Sequence, residues 1–266
     1  MTFALHRADA HGRGATRGDD PRTWDAIRRQ RQAPDPALVH RDLSESVHFQ
    51  YIQQHVSRPA RILEGGCGFA KWVWFLEQCG YEVYGVDFPE SAIHNSHAVW
   101  PDLKLTLARL QEMPYEDGFF DGILSLGTIE HDMNGPQMIL KEFLRVLKPG
   151  GVLYCTVPCI NGLRRAGVLS LQEFAHCNRL IRRARGRSPD VEFFEYYFSA
   201  REYARVLRRA GFEVIQLVPQ TPDPYLLGSK AGGLRSRLVW RIHRIWPWMM
   251  THMVGAVCRR PLVPSA

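Results

Sequence analysis

A glycine-rich turn, Glu64-Gly65-Gly66-Cys67-Gly68, constrains this chain more than any other feature because of what flanks it. Arg61-Ile62-Leu63 before it reads as a short strand, and 70–79 after it as a helix closed by Gly80. Gly66 and Gly68 let the backbone turn tightly and approach a ligand closely. The helix N-terminus beyond them favours a negatively charged group such as a carboxylate. A second strand, Tyr81-Glu82-Val83-Tyr84-Gly85-Val86, ends at Asp87, 23 residues beyond Glu64. A carboxylate there can accept both ribose hydroxyls of a nucleoside.

The same rhythm continues downstream. Helices are expected at 89–99 and 137–147, and strands at 103–107, 122–126 and 152–157. Ser199 and Glu202 form a capping box for a helix that ends at Gly211, followed by a strand at 212–218 and a closing one at 252–258. Upstream, Leu38, Leu43, Val47, Tyr51, Ile52 and Val56 give 37–56 helical spacing. Such alternation predicts an α/β fold with a parallel sheet covered on both faces. The length of 266 residues suits one domain. Residues 1–36, poor in apolar side chains, are expected to be a disordered tail, and 37–261 the domain, with irregular insertions at about 159–198 and 219–247.

Two nucleoside-bearing cofactors fit the turn. The dinucleotide fingerprint needs a third glycine for helix–strand packing, and its place is taken by Lys71. Glu64 would face a pyrophosphate unfavourably, whereas a ligand carrying an ammonium and a sulfonium welcomes it. A nicotinamide-dependent oxidoreductase and a non-catalytic nucleoside-binding protein remain as alternatives.

The stretch from Ile62 to Gly151 resembles the class I S-adenosylmethionine-dependent methyltransferases, in particular the small-molecule branch that includes quinone-biosynthesis enzymes. The matching pieces are Glu64-x-Gly66-x-Gly68, Gly85-Val86-Asp87, Met113-Pro114-Tyr115, Phe120-Asp121, Ile129-Glu130-His131 and Leu147-Lys148-Pro149-Gly150-Gly151, in that order. The resemblance implies a Rossmann-like, doubly wound seven-stranded sheet, mostly parallel with an antiparallel last strand, and an irregular or helical C-terminal lid. It implies S-adenosylmethionine as cofactor. Glu64, Gly65, Gly66 and Gly68 would hold its methionine end, Asp87 its ribose, and Phe88 would flank the adenine. Arg109 and Leu110 would meet the adenine edge. The family commonly has Asp or Asn where Arg109 stands, and arginine has no acceptor. His131, after the fourth strand, is the candidate catalytic residue: a general base of near-neutral pKa, or else a hydrogen-bonding wall. Asp121 reads as structural, and Cys67, Trp72 and Trp74 as packing residues.

Charge then bears on the acceptor. Residues 160–266 hold 18 Lys and Arg against 7 Asp and Glu, a net of +11 within a whole-chain +7. That excess points to an anionic partner or to a solvated basic surface. Phe194, Tyr196 and Tyr197 could line an apolar acceptor pocket. On a helical wheel Leu234, Leu238, Ile242, Ile245 and Trp246 share one side, with Arg237, Arg241 and Arg244 on another. Such a segment either packs on its own domain with Arg in water, or meets a membrane interface. The expected partner is therefore a small-molecule or lipid-like acceptor methylated at O (N or C being open), with peripheral membrane contact. Nucleic acid is disfavoured, since no Asn-Pro-Pro-Tyr-like motif occurs. The six cysteines lack metal-ligand spacing, so no metal is expected. No apolar run reaches 18 residues and 1–18 lack an apolar core, so a cytoplasmic location is expected.

Overall fold

The computed structural model describes residues 3–8, 15–16, 20–29, 34–165, 192–222 and 233–262. The chain begins with strands β1 (Phe3–Ala8) and β2 (Ala15–Thr16), then helices α1 (Pro21–Arg29), α2 (Pro36–Ser44) and α3 (Val47–His55). Strand and helix next alternate through β3 (Arg61–Gly65), α4 (Lys71–Gln78), β4 (Glu82–Asp87), α5 (Glu90–Val99), β5 (Lys104–Leu107) and β6 (Phe120–Leu126). A single 3₁₀ turn (Ile129–His131) leads to α6 (Gln137–Val146), β7 (Leu147–Pro158) and α7 (Gly162–Arg165). The remainder comprises β8 (Glu192–Tyr197), α8 (Ala200–Arg209), β9 (Glu213–Pro219), α9 (Leu234–Ile245), α10 (Pro247–Met250) and β10 (Met253–Arg259).

Seven strands form one sheet in the order β5-β4-β3-β6-β7-β10-β9. Pairing is parallel from β5 to β7, and β10 runs antiparallel to both of its neighbours. This is the Rossmann-like sheet with an antiparallel last strand. Successive strand residues face opposite ways, which sorts the core into two layers. Leu63, Val86, Ile123 and Leu153 pack with Ile139, Leu140 and Phe143 of α6 and with Tyr203 and Leu207 of α8. Ile62, Val83, Leu124 and Tyr154 pack with Phe49 and Ile52 of α3 and with Trp72, Val73, Phe75 and Leu76 of α4.

The structure departs from the sequence reading at several places. The expected disordered tail contains β1, β2 and α1, and β1 pairs antiparallel with β8 to make a second, three-stranded sheet. The aromatic run expected to be irregular supplies β8 itself. A strand's stability comes from its partner, and here the partner lies far away in sequence: Arg7 pairs with Glu192. Helix α1 is fastened separately, since Asp25 accepts a hydrogen bond from Ser91 of α5. The expected helix 37–56 is two helices, broken where Ser46 caps the second by accepting from the Phe49 N–H at 3.2 Å. The other insertion also holds a regular element, α9. Most of the aromatic and Arg-rich stretch before β8, 166–191, lies outside the described residues.

Candidate active site

The order of strands reverses between β3 and β6: the chain runs outward through β4 and β5, then crosses back to β6. In open α/β sheets the crevice at the carboxyl ends of such a pair is the ligand site. Two turns meet there. The Gly66 and Cys67 N–H groups both donate to the Val86 carbonyl (2.8 and 3.1 Å), folding the glycine turn onto the end of β4. Gly66 has φ +81°, and a Cβ there would land on the Thr128 side chain of the turn after β6. A side chain at Gly65 would meet the Phe143 ring at 2.8 Å, so this glycine serves packing beneath the turn. At Gly68, φ +56°, a Cβ would meet nothing within 4 Å: the backbone there borders open space.

Asp87 holds the rim of that space. It is buried, and accepts from the Gly68 N–H through Oδ2 and the Phe88 N–H through Oδ1, both at 2.8 Å. Glu64 lies below, buried as well, with Oε2 accepting from the Val73 N–H at 3.1 Å. Burial, reinforced by the Asp87 charge and only partly offset by that hydrogen bond, holds its carboxyl well above the ordinary range. Phe88 is half-buried, with the Arg109 guanidinium over its ring at 5.3 Å. Leu110 is buried next to Gly65, and the Ala108 N–H donates to the Asp87 carbonyl at 3.1 Å. The eight residues read as cofactor-binding from the sequence lie near one another at the carboxyl ends of β3 and β4 and in the loop after β5: Gly66, Gly68 and Asp87 at the turn, Arg109 over Phe88 beside it, and Glu64, Gly65 and Leu110 packed beneath.

These groups fit S-adenosylmethionine. A buried carboxyl with no paired cation among the described residues suits an ammonium, an acid at the end of β4 suits a ribose, and an Arg–aromatic stack suits a purine face. Arg109 itself lies over the Phe88 ring, a contact with a ring face that needs no acceptor atom.

On the β6 side the 3₁₀ turn buries Glu130, His131 and Asp132 together. Glu130 is 1% exposed, and its Oε2 has no hydrogen-bond partner among the described residues. Burial first, then the Glu195 charge, push its carboxyl far up. His131 Nε2 stands 3.8 Å from Glu195 Oε2, and the Trp24 ring of α1 meets the imidazole edge-on at 4.8 Å between centroids. Gln111 joins this turn to the adenine side through a 2.8 Å bond to Asp132. Tyr196 of β8 donates to the Met133 carbonyl at 2.8 Å. One donor atom from each of Glu130, His131 and Glu195 lies within 4.8 Å of the others, close enough to share a divalent cation. No spacing rule singles out Glu195, 64 residues from His131 and brought there by the pairing of β8 with β1 and by the tie of Phe198 to the end of β7.

The residues read as structural are so placed. Asp121 accepts from the Arg61 N–H at 2.8 Å and pairs with Lys148 at 2.6 Å, at the amino edge of the sheet. Cys67 is a buried cysteine under the turn, Trp72 packs on Phe75, and Trp74 stacks on Trp100. Cys177 and Phe194 lie outside the residues whose side chains are described.

A family model described as a methyltransferase domain matches residues 30–217. A probable S-adenosylmethionine-dependent methyltransferase of Mycolicibacterium smegmatis is 27% identical over 153 residues, which is 58% of this chain and 52%, about half, of that relative. A demethylmenaquinone methyltransferase of Geobacillus kaustophilus is 28% identical over 189 residues, covering 64% of this chain and 77% of the relative. Among solved structures, a SAM-dependent methyltransferase from Methanosarcina mazei superposes with a TM-score of 0.54 at 19% identity, over 80% of this chain and 98% of the other. That likeness speaks for the fold; the family match speaks for descent. The chain belongs to the methyltransferase-domain family, as a class I S-adenosylmethionine-dependent methyltransferase.

Proposed function

We propose that this enzyme methylates a small apolar or lipid-like acceptor, at an oxygen atom. The observation that carries the reading is His131, buried against Glu195 and Trp24 at the crevice where the acceptor must enter. S-adenosylmethionine, when bound, supplies an electrophilic methyl carbon on a sulfonium. The chain then has two tasks. Glu64, Asp87 and the glycine turn fix the cofactor, and orientation of this kind accounts for much of the rate. His131 takes up the proton of an acceptor hydroxyl on its imidazole, and the Glu195 carboxylate stabilises the imidazolium that results. Aromatic surface from Trp24 and Tyr196 beside these groups suits a flat, apolar acceptor. Relatives named for demethylmenaquinone favour a quinone-like molecule of that description. The test is label transfer from S-adenosylmethionine to quinols, phenols and fractionated lipid extract. Label in apolar hydroxylated compounds is expected; label only in polar amines or in protein would overturn the reading.

Glu64 yields a second expected result. Its carboxyl is raised in the folded protein, so the stability linked to it is present at low pH and lost as pH rises through the folded value. Without cofactor, Glu64→Gln should therefore melt higher than wild type at pH ~8, with the gap closing toward pH ~5. With S-adenosylmethionine the order should reverse, because the ammonium loses a charged acceptor and affinity falls about 10–100-fold. Melting curves at both pH values, with and without cofactor, check this. An unchanged cofactor-induced rise in Tm would remove Glu64 from the site.

A further inference from the structure

Helix α9 is folded with its apolar side outward. Leu234, Leu238 and Ile245 lie along one stripe and are 86%, 56% and 69% exposed, while Ser236, Val239 and His243 face the protein. A helix that packs only on its own domain does the opposite. The outward stripe continues into α10 and its approach, where Trp246, Trp248 and Met249 are exposed. Arg237, Arg241 and Arg244 are exposed within and beside the stripe, with no ion-pair partner among the described residues. From Leu234 to Met250 the sequence contains no acidic residue.

The unit is firmly held. Met249 fills the space left by the missing side chain of Gly162, and Asn161 donates to the Thr251 carbonyl at 2.9 Å. Thr251 leads into β10, whose first residue, Met253, pairs with Pro158 at the end of β7. This places α9 and α10 at the carboxyl edge of the sheet, the edge that bears the glycine turn, Asp87 and His131.

We propose that α9 and α10 form a docking surface for an anionic membrane. Tryptophan belongs to the headgroup boundary, where its ring is half in hydrocarbon, and arginine beside an apolar stripe pairs with lipid phosphates. A helix of 12 residues spans about 18 Å, short of the ~30 Å hydrocarbon core, so it lies in the interface. No helix among the described residues is long and apolar enough to cross a membrane. A second copy of the chain suits the face poorly, since two-fold pairing would bring six arginines together with no acid between them. Docked this way, the enzyme presents the edge of the sheet that holds its site to the bilayer.

The test is co-sedimentation of the full chain with vesicles of phosphatidylglycerol and phosphatidylcholine, against phosphatidylcholine alone. Cofactor and acceptor are left out, so failure here leaves the proposed methyl transfer standing. Binding is expected to the anionic vesicles at low salt and to fall steeply by ~0.5 M salt, as the screening length shrinks to a few ångströms. Arg237→Gln, Arg241→Gln and Arg244→Gln together should lower partitioning about a hundredfold, at roughly fivefold for each lost charge. Leu234→Ser with Ile245→Ser should weaken binding at every salt concentration, and both positions are exposed enough to leave the fold intact. No binding at low salt would overturn the proposal, as would equal binding by the triple variant. A wild-type dimer in light scattering that the Ser variant splits would assign the face to a second copy and overturn it too.

Discussion

Replacing Asp87 by Ala is expected to weaken S-adenosylmethionine binding by about two orders of magnitude, roughly 3 kcal/mol for two hydrogen bonds to a charged acceptor. The effect exceeds that of an ordinary ligand contact because Asp87 also builds the cradle. Its two oxygens accept from the Gly68 and Phe88 N–H groups, which set the glycine turn and the start of the adenine wall. Each donor left unsatisfied in this buried position costs about 1–3 kcal/mol, so the variant should also melt lower without cofactor. Asp87→Asn separates the two roles. Its amide oxygen still accepts one bond while its amino group cannot, so both losses should be intermediate. Calorimetry for affinity and thermal melts for stability provide the two readouts. Affinity unchanged in the Ala variant would remove the ribose from this carboxylate.

The half of the site around Asp87 is built from local features that the sequence displays; of the other half the sequence shows His131, but not Glu195 or Trp24. A strand, a glycine turn, a helix and an acid 23 residues on are local features, and local features fix Glu64, Gly66, Gly68 and Asp87 relative to one another. The parallel strands on both sides were legible for the same reason, since each alternates with a helix. Arg109 was read as a departure because the comparison considered hydrogen-bond acceptors, whereas its contact with Phe88 is through the ring face. The segment 1–36 reads as disordered because it is poor in apolar side chains; the neighbour of β1 in sequence, β2, is only two residues long, and the longer pairing of β1 is with β8, far on in the chain. Missing that pairing also hid Glu195. The helical spacing of α9 groups Leu234, Leu238 and Ile245 on one stripe, but spacing alone does not say which side faces the protein. Val239 and His243 are buried because of where α10 and β10 anchor the helix.

His131 carries the largest expected effect on turnover. His131→Ala should lower kcat about 10²–10⁴-fold, the usual contribution of a positioned base, while leaving S-adenosylmethionine affinity close to wild type. The separation follows from the structure. His131 stands on the β6 side with Glu130, Glu195 and Trp24, whereas the residues expected to hold the cofactor lie on β3, β4 and the loop after β5. A fall in cofactor affinity in step with the rate would make the residue a wall. Glu195→Gln refines the assignment. Glu195 faces the imidazole at 3.8 Å, and Glu130, the other carboxyl in the cluster, is pushed toward its neutral form by burial. Glu195 is therefore the charge that favours the imidazolium. Removing it should lower kcat and shift the acid limb of the rate profile to lower pH, because protonating His131 becomes harder. The same three residues could instead share a cation, and a chelator distinguishes the two cases. Activity that survives chelation, with the limb moving as stated, assigns His131 the proton. Activity lost on chelation and restored by a divalent metal would reassign all three residues as ligands, since a coordinated imidazole cannot take up a proton at the ligating nitrogen.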